Sequence, residues 1–107
     1  MKVLGVHELA GMLNNTDAQP ITVLDVREPW ELEIAPFKGS LNIAMGDIPA
    51  RWQEIPDNHP IVCLCHHGMR SMQVAAFLER SGLENVFNLT GGIDAWARQI
   101  DPDCATY

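Results

Sequence analysis

The run Ile61-Val62-Cys63-Leu64 is the feature that most narrows what this chain can become. Its residues are all apolar and rich in β-branching, so a strand made from them has no polar face and must be covered on both sides. Pro60 bounds the run in front, and Cys65-His66-His67-Gly68 ends it behind. From Met69 to Arg80, Val74, Phe77 and Leu78 recur at helical spacing, and Gly82 supplies a C-terminal stop. A buried strand, a short loop opening on a cysteine and a helix therefore follow one another directly.

The rest of the chain repeats that alternation. Lys2-Val3-Leu4 reads as a brief strand, and Val6, Leu9, Met12 and Leu13 mark a short amphipathic helix. Asn14 to Pro20 is a polar loop. Ile21-Thr22-Val23-Leu24-Asp25-Val26 is a second buried strand that ends at Asp25, Arg27 and Glu28, and Pro29 opens a helix through Ile34. Leu41-Asn42-Ile43 reads as a strand, Asp47–Ile55 as one helix capped by Asp47, Asn85–Leu89 as a strand and Ile93–Gln99 as the final helix. Strands that alternate with helices imply right-handed crossovers and an α/β fold whose parallel sheet carries helices on both faces. Trp96 reads as a core anchor of the last helix, and residues 99–107 as a mobile tail.

Composition excludes several classes. The 107 residues make a single domain of ordinary size, and 47% apolar with 20% charged residues describes a globular chain. No apolar run approaches the roughly 20 residues of a membrane span. The first eight residues turn polar too soon for a signal peptide. A net charge of −7 without a Lys/Arg cluster argues against nucleic acid as a partner. Three cysteines, Cys63, Cys65 and Cys104, make no disulfide framework, so reduced thiols and a cytoplasmic location are expected.

The chemistry concentrates at Cys65. The first amides of a helix lack intrahelical partners and lie at the positive end of its dipole. A loop curled over them is an anion cradle, and Gly68 allows the turn it needs. Arg70 adds a cation, and His66 and His67 are expected to add partial ones; together these favour thiolate, the nucleophilic form. Cys63 shares side-chain parity with Cys65 and reads as core filler below the loop. Asp25 and Arg27 are expected to support the site as a structural ion pair, and Lys38 to be a solvated loop lysine.

Cys65-His66-His67-Gly68-Met69-Arg70-Ser71 resembles the active-site loop of rhodanese-like sulfurtransferases, in its Cys-x-x-Gly-x-Arg-Ser form. Asp25-Val26-Arg27-Glu28-Pro29-Trp30-Glu31 is similar to that family's Asp-x-Arg-x-x-x-Glu signature, and Gly91-Gly92-Ile93-Asp94-Ala95-Trp96 to its Gly-Gly-x-x-Ala-Trp signature. The three occur in family order, from about Val6 to about Arg98. One stretch departs: Pro36 stands where relatives carry a histidine and Lys38 where they carry a proline. The resemblance implies a five-stranded parallel sheet and a thiosulfate sulfurtransferase of the rhodanese type. In it the Cys65 thiolate takes sulfane sulfur from thiosulfate or a persulfide and passes it to a thiol or cyanide. The outer sulfur of the Cys65 persulfide would be held by the loop from His66 through Ser71, with Arg70 orienting the donor. No organic cofactor and no metal is implied; thioredoxin or a sulfur-carrier protein are partners the resemblance leaves open.

Three other readings compete. A cysteine phosphatase or arsenate reductase also runs a loop from cysteine to arginine at a helix start, but as Cys-x5-Arg. Here the loop is one residue shorter, too narrow a ring of amides for a phosphoryl group. A non-catalytic rhodanese-like binding module commonly lacks the cysteine, which is present here. Cys63, Cys65, His66 and His67 match no recognised four-ligand spacing, and adjacent histidines often point apart.

Overall fold

The computed structural model describes residues 2–15 and 20–107, and the statements that follow concern those residues. Of the expected polar loop from Asn14 to Pro20, residues 16–19 lie outside them. Strands β1 (Lys2–Leu4), β2 (Thr22–Asp25), β3 (Leu41–Asn42), β4 (Ile61–Leu64) and β5 (Val86–Leu89) alternate with helices α1 (Val6–Asn14), α2 (Pro29–Ile34), α3 (Ile48–Arg51), α4 (Met69–Arg80) and α5 (Gly92–Gln99). The strands form one five-stranded sheet in the order β1-β5-β4-β2-β3, and every pairing is parallel. The expected α/β architecture is the observed one.

Period-two alternation decides which side chains meet which helices. Leu24, Ile61, Cys63 and Val86 point to one face and pack with Ile48 of α3 and Val74, Ala75 and Leu78 of α4. Val23, Val62, Leu64 and Leu89 point to the other and pack with Val6 and Leu9 of α1 and Ile93 of α5. β4 is buried along its whole length, as its unbroken apolar run requires. Trp96 is only partly buried and tilts against Phe37, with ring centroids 5.0 Å apart.

α4 ends as a Schellman motif: the Leu83 amide donates to the Leu78 carbonyl and the Gly82 amide to Glu79, with Gly82 at φ +106°. The single helix expected over Asp47–Ile55 is not formed. A 3₁₀ turn (Met45–Asp47), the one-turn α3 and a second 3₁₀ turn (Trp52–Glu54) take its place. Asp47 makes no side-chain cap, because its backbone already sits in the helical region at φ −95°, ψ −8°. A side-chain cap needs an extended residue at that position.

The sheet order also places the site. The connection leaving β4 runs to β5 on one side, and the connection leaving β2 runs to β3 on the other. The carboxyl ends of these two adjacent strands form the crevice in which open α/β sheets bind ligands. Asp25 closes β2 there, and Cys65 follows β4.

Candidate active site

Cys65 lies at the floor of the loop that joins β4 to α4, 1% exposed. Its Sγ receives the Gly68 amide at 3.1 Å, the Ser71 amide at 3.3 Å and contact with the Ser71 hydroxyl at 3.2 Å. Of the loop amides expected to form a cradle, these are the two that reach the sulfur. Gly68 caps α4 at φ +105°, a left-handed conformation that a side chain would strain, and a Cβ there would press on the Leu89 carbonyl. Met69, in the first turn, is exposed.

The loop is held from behind by α5. The Ile93 amide donates to the Cys65 carbonyl at 2.9 Å and the Asp94 amide to His66 at 3.1 Å. Gly92, at φ +59°, has no room for a Cβ, which would collide with the carbonyl oxygens of Cys65 and His66. Gly92 is therefore a docking surface for the loop's own backbone, whereas a Cβ at Gly91 would meet Ala95 of α5. Asn88, on β5, adds a side-chain brace: its Nδ2 donates to the Gly68 carbonyl at 3.1 Å, which turns Oδ1 toward Ser71 Oγ at 2.6 Å. One hydroxyl carries one proton. Ser71 can thus donate to Asn88 while accepting from a Cys65 thiol, or turn its proton to a Cys65 thiolate.

Asp25 and Arg27 form the expected ion pair, with both side chains fully buried and Arg27 Nη2 2.7 Å from Asp25 Oδ2. Arg27 also donates to the Ala35 carbonyl at 2.8 Å and to the Tyr107 hydroxyl at 3.1 Å. Asn42 Nδ2 ties the Asp25 and Arg27 carbonyls together. Arg70 is not a free cation. It makes a two-pronged pair with Glu31, Nη1 to Oε2 and Nη2 to Oε1, both at 2.7 Å. The Arg70 guanidinium holds the Glu31 carboxyl far below the usual carboxylate range, at about 2, and Glu31 in turn raises Arg70, with the nearby Cys65 adding to the rise.

His66 departs from the expectation that the loop histidines add partial positive charge. Burial, together with His67, pushes the His66 pKa below its ordinary value and so disfavours the charged ring. Adjacent histidines also do not point apart here: their rings stack with centroids 3.9 Å apart, and His66 stacks on Tyr107 on its other side. Ring nitrogens of His66 and His67 and an Asp94 oxygen lie within 4.8 Å of one another. Stacked rings direct their in-plane lone pairs side by side, and Asp94 is already engaged by Arg98 at 3.0 Å. Cys63 sits in the apolar layer under Cys65, where burial and the neighbouring Cys65 push its thiol up to about 12. Lys38 is exposed and lines a groove of about 210 Å³ with Leu13, Pro36, Phe37, Trp96 and Asp101, none of them in the loop.

Four side chains of this arrangement were not singled out from the sequence as site residues: Glu31, Asn42, Asn88 and Tyr107. Glu31 alone left a signal, as the last position of the Asp-x-Arg-x-x-x-Glu pattern. Tyr107 closes the tail residues 99–107 onto the site, donating to Glu31 Oε1 at 2.8 Å.

Comparison with known proteins places this geometry. The pattern described as Rhodanese-like domain matches residues 5–99. A sulfurtransferase of Allochromatium vinosum is 39% identical over 82 residues, 77% of either chain. Thiosulfate sulfurtransferase GlpE of Pseudoalteromonas translucida is 30% identical over 88 residues, 82% of this chain and 84% of its own. The crystal structure of a rhodanese-related protein from Thermoplasma volcanium superposes with a TM-score of 0.84 at 29% identity, covering 94% of each chain.

Proposed function

The chain belongs to the rhodanese-like domain family, and from that premise we propose that it is a sulfurtransferase working through a persulfide on Cys65. The observation that carries this reading is the set of donors from Gly68 and Ser71 converging on Cys65 Sγ at the start of α4. Such donors favour a sulfur that carries negative charge. The Cys65 thiolate attacks the sulfane sulfur of the donor. A bond forms between the two sulfurs, the donor's own bond to that sulfur breaks, and the leaving group departs with the electron pair as sulfite or thiolate. An acceptor thiolate or cyanide then attacks the outer sulfur and returns Cys65 as thiolate. The two half-reactions balance without an outside oxidant and give ping-pong kinetics.

In this scheme the Gly68 and Ser71 amides hold charge on the sulfur, and the Ser71 hydroxyl gives its proton to Asn88 while Cys65 is a thiol and to the sulfur once it is charged. Asp25 and Arg27 brace the strand end. Arg70 stands beside Cys65 with its charge shared with Glu31. Thiosulfate is the donor to try first, because the Pseudoalteromonas translucida relative is named for it. A small persulfide is the second donor, and a thiol, cyanide, thioredoxin or a sulfur-carrier protein is the acceptor, in the cytoplasm. No helix of the described residues is long and apolar enough to cross a membrane.

Intact-mass measurement tests the reading. Exposure to thiosulfate or glutathione persulfide is expected to add one sulfur at Cys65, and a thiol or cyanide chase to remove it. Cys65→Ser is expected to abolish transfer, while Cys63→Ser, which alters a thiol that stays protonated, keeps most of it. No adduct with either donor on folded, reduced protein, or equal loss in both variants, overturns the assignment.

A further inference from the structure

We propose that Tyr107 is a positioning residue for the chemistry of Cys65: its phenol, held between Arg27 and Glu31, fixes the Glu31 carboxylate in the pose that grips Arg70 at the start of α4. The inference rests on the sulfur-transfer reading for its purpose, and on the hydrogen-bond chain itself for its substance.

That chain runs unbroken from the sealed side of the site to the loop. Arg27 is immobilised by Asp25 and by the Ala35 carbonyl. Arg27 Nη1 donates to the Tyr107 oxygen at 3.1 Å, and the same hydroxyl donates to Glu31 Oε1 at 2.8 Å. A phenol accepts and donates at once; phenylalanine in its place would do neither. Burial raises the phenol above its ordinary pKa, so it keeps the proton it gives to Glu31.

Glu31 is where the effect is felt. Oε2 takes the Glu28 amide at 2.9 Å and Arg70 Nη1, and Oε1 takes Arg70 Nη2 and Tyr107. The Glu28 amide pins one oxygen from its own helix, and Tyr107 pins the other from a segment 76 residues away in sequence. Without Tyr107, Oε1 has Arg70 alone, and the carboxylate can rotate about its last bond. Arg70 belongs to the first turn of α4, the turn whose Ser71 amide and hydroxyl meet Cys65 Sγ. A looser grip on Arg70 loosens that turn. The Tyr107 ring also lies flat on His66, the residue after Cys65, with centroids 3.8 Å apart and planes 8° apart. Trp30 meets its edge at 6.0 Å. The phenol is thus aimed by packing as well as by hydrogen bonds.

A double-mutant cycle tests the proposal, read on the rate of sulfur transfer and, separately, on the rate of Cys65 alkylation by iodoacetamide. Tyr107→Phe keeps the ring and the stack and removes only the bridge. It is expected to lower kcat and the alkylation rate by about fivefold with KM within about twofold, and to change either rate by less than about twofold once Glu31→Gln is present, as coupled neighbours do. A general loss of structure would act equally in both backgrounds. If Glu31→Gln does not fold, Arg70→Lys serves as the second background with the same expectation. An equal effect of Tyr107→Phe in both backgrounds, or none in the unaltered protein, overturns the role of Tyr107. The alkylation arm needs no sulfur donor. A protein that forms no persulfide yet keeps the coupled alkylation cycle would refute sulfur transfer and leave the positioning role standing.

Discussion

Two arginine–carboxylate pairs stand at the carboxyl edge of the sheet with the same closest approach, 2.7 Å, in different surroundings. Asp25–Arg27 joins residues two apart, and neither side chain touches solvent. Glu31–Arg70 joins residues 39 apart, on α2 and α4; Glu31 is 3% exposed and Arg70 34%. A closed pair cannot meet a substrate, and its charge is consumed in bracing the ends of the segment that carries α2, at Arg27 and Ala35. A half-open pair beside the thiol has a guanidinium that still borders solvent. Distance alone does not separate the two roles; desolvation does.

The sharpest way to break this contrast is to remove the sealed cation. Arg27→Ala leaves the Asp25 carboxylate buried and uncompensated and takes partners from Ala35 and Tyr107. A loss of about 4 kcal/mol of unfolding free energy in urea is expected. A loss under about 1 kcal/mol would mean that the pair is not sealed in solution.

Acid probes the half-open pair. Glu31 falls from an ordinary 4.5 to about 2 because Arg70 donates to it, so its contribution to stability is present in full above about pH 4.5 and is lost as pH falls through about 2. At about 1.4 kcal/mol per pKa unit this is roughly 3 kcal/mol. Unfolding free energies of the unaltered protein and of Glu31→Gln are therefore expected to converge between about pH 5 and pH 2. A difference that does not change over that range would place the Glu31 charge outside the pair.

The smallest effect on stability is expected from Arg70→Lys, which keeps a charge and loses the planar two-pronged grip. Transfer through Cys65 is expected to slow about tenfold, while the thermal midpoint moves far less than in Arg27→Ala. Equal destabilisation by the two substitutions would erase the distinction between bracing and active-edge arginines.

How far the sequence could be read differs between elements for physical reasons. β4 and α4 have the boundaries their apolar pattern implies, because period and punctuation are local properties of the chain. The common face of Cys63 and Cys65 follows from strand alternation in the same way. The segment from Asp47 to Ile55 has helical spacing too, yet it breaks into short turns around α3. Its pattern specified which residues face the core without specifying the hydrogen-bond register. The histidine pair shows a different limit. Residue type suggested positive charge, but charge depends on solvent, and His66 is covered by the Tyr107 ring.

By itself, then, the sequence determined an alternating α/β chain, a cysteine at the start of α4, and glycines where the backbone must turn or approach closely. Gly92 is legible as a glycine but not as the contact that would collide with the Cys65 carbonyl. Only the tertiary structure decided that Arg70 is engaged by Glu31, that Asn88 steers Ser71, and that Tyr107 bridges Arg27 and Glu31. Each of these joins residues from 17 to 80 positions apart. No local period encodes such a meeting; it exists because the sheet order brings the ends of β2 and β4 side by side, and the tail closes over them.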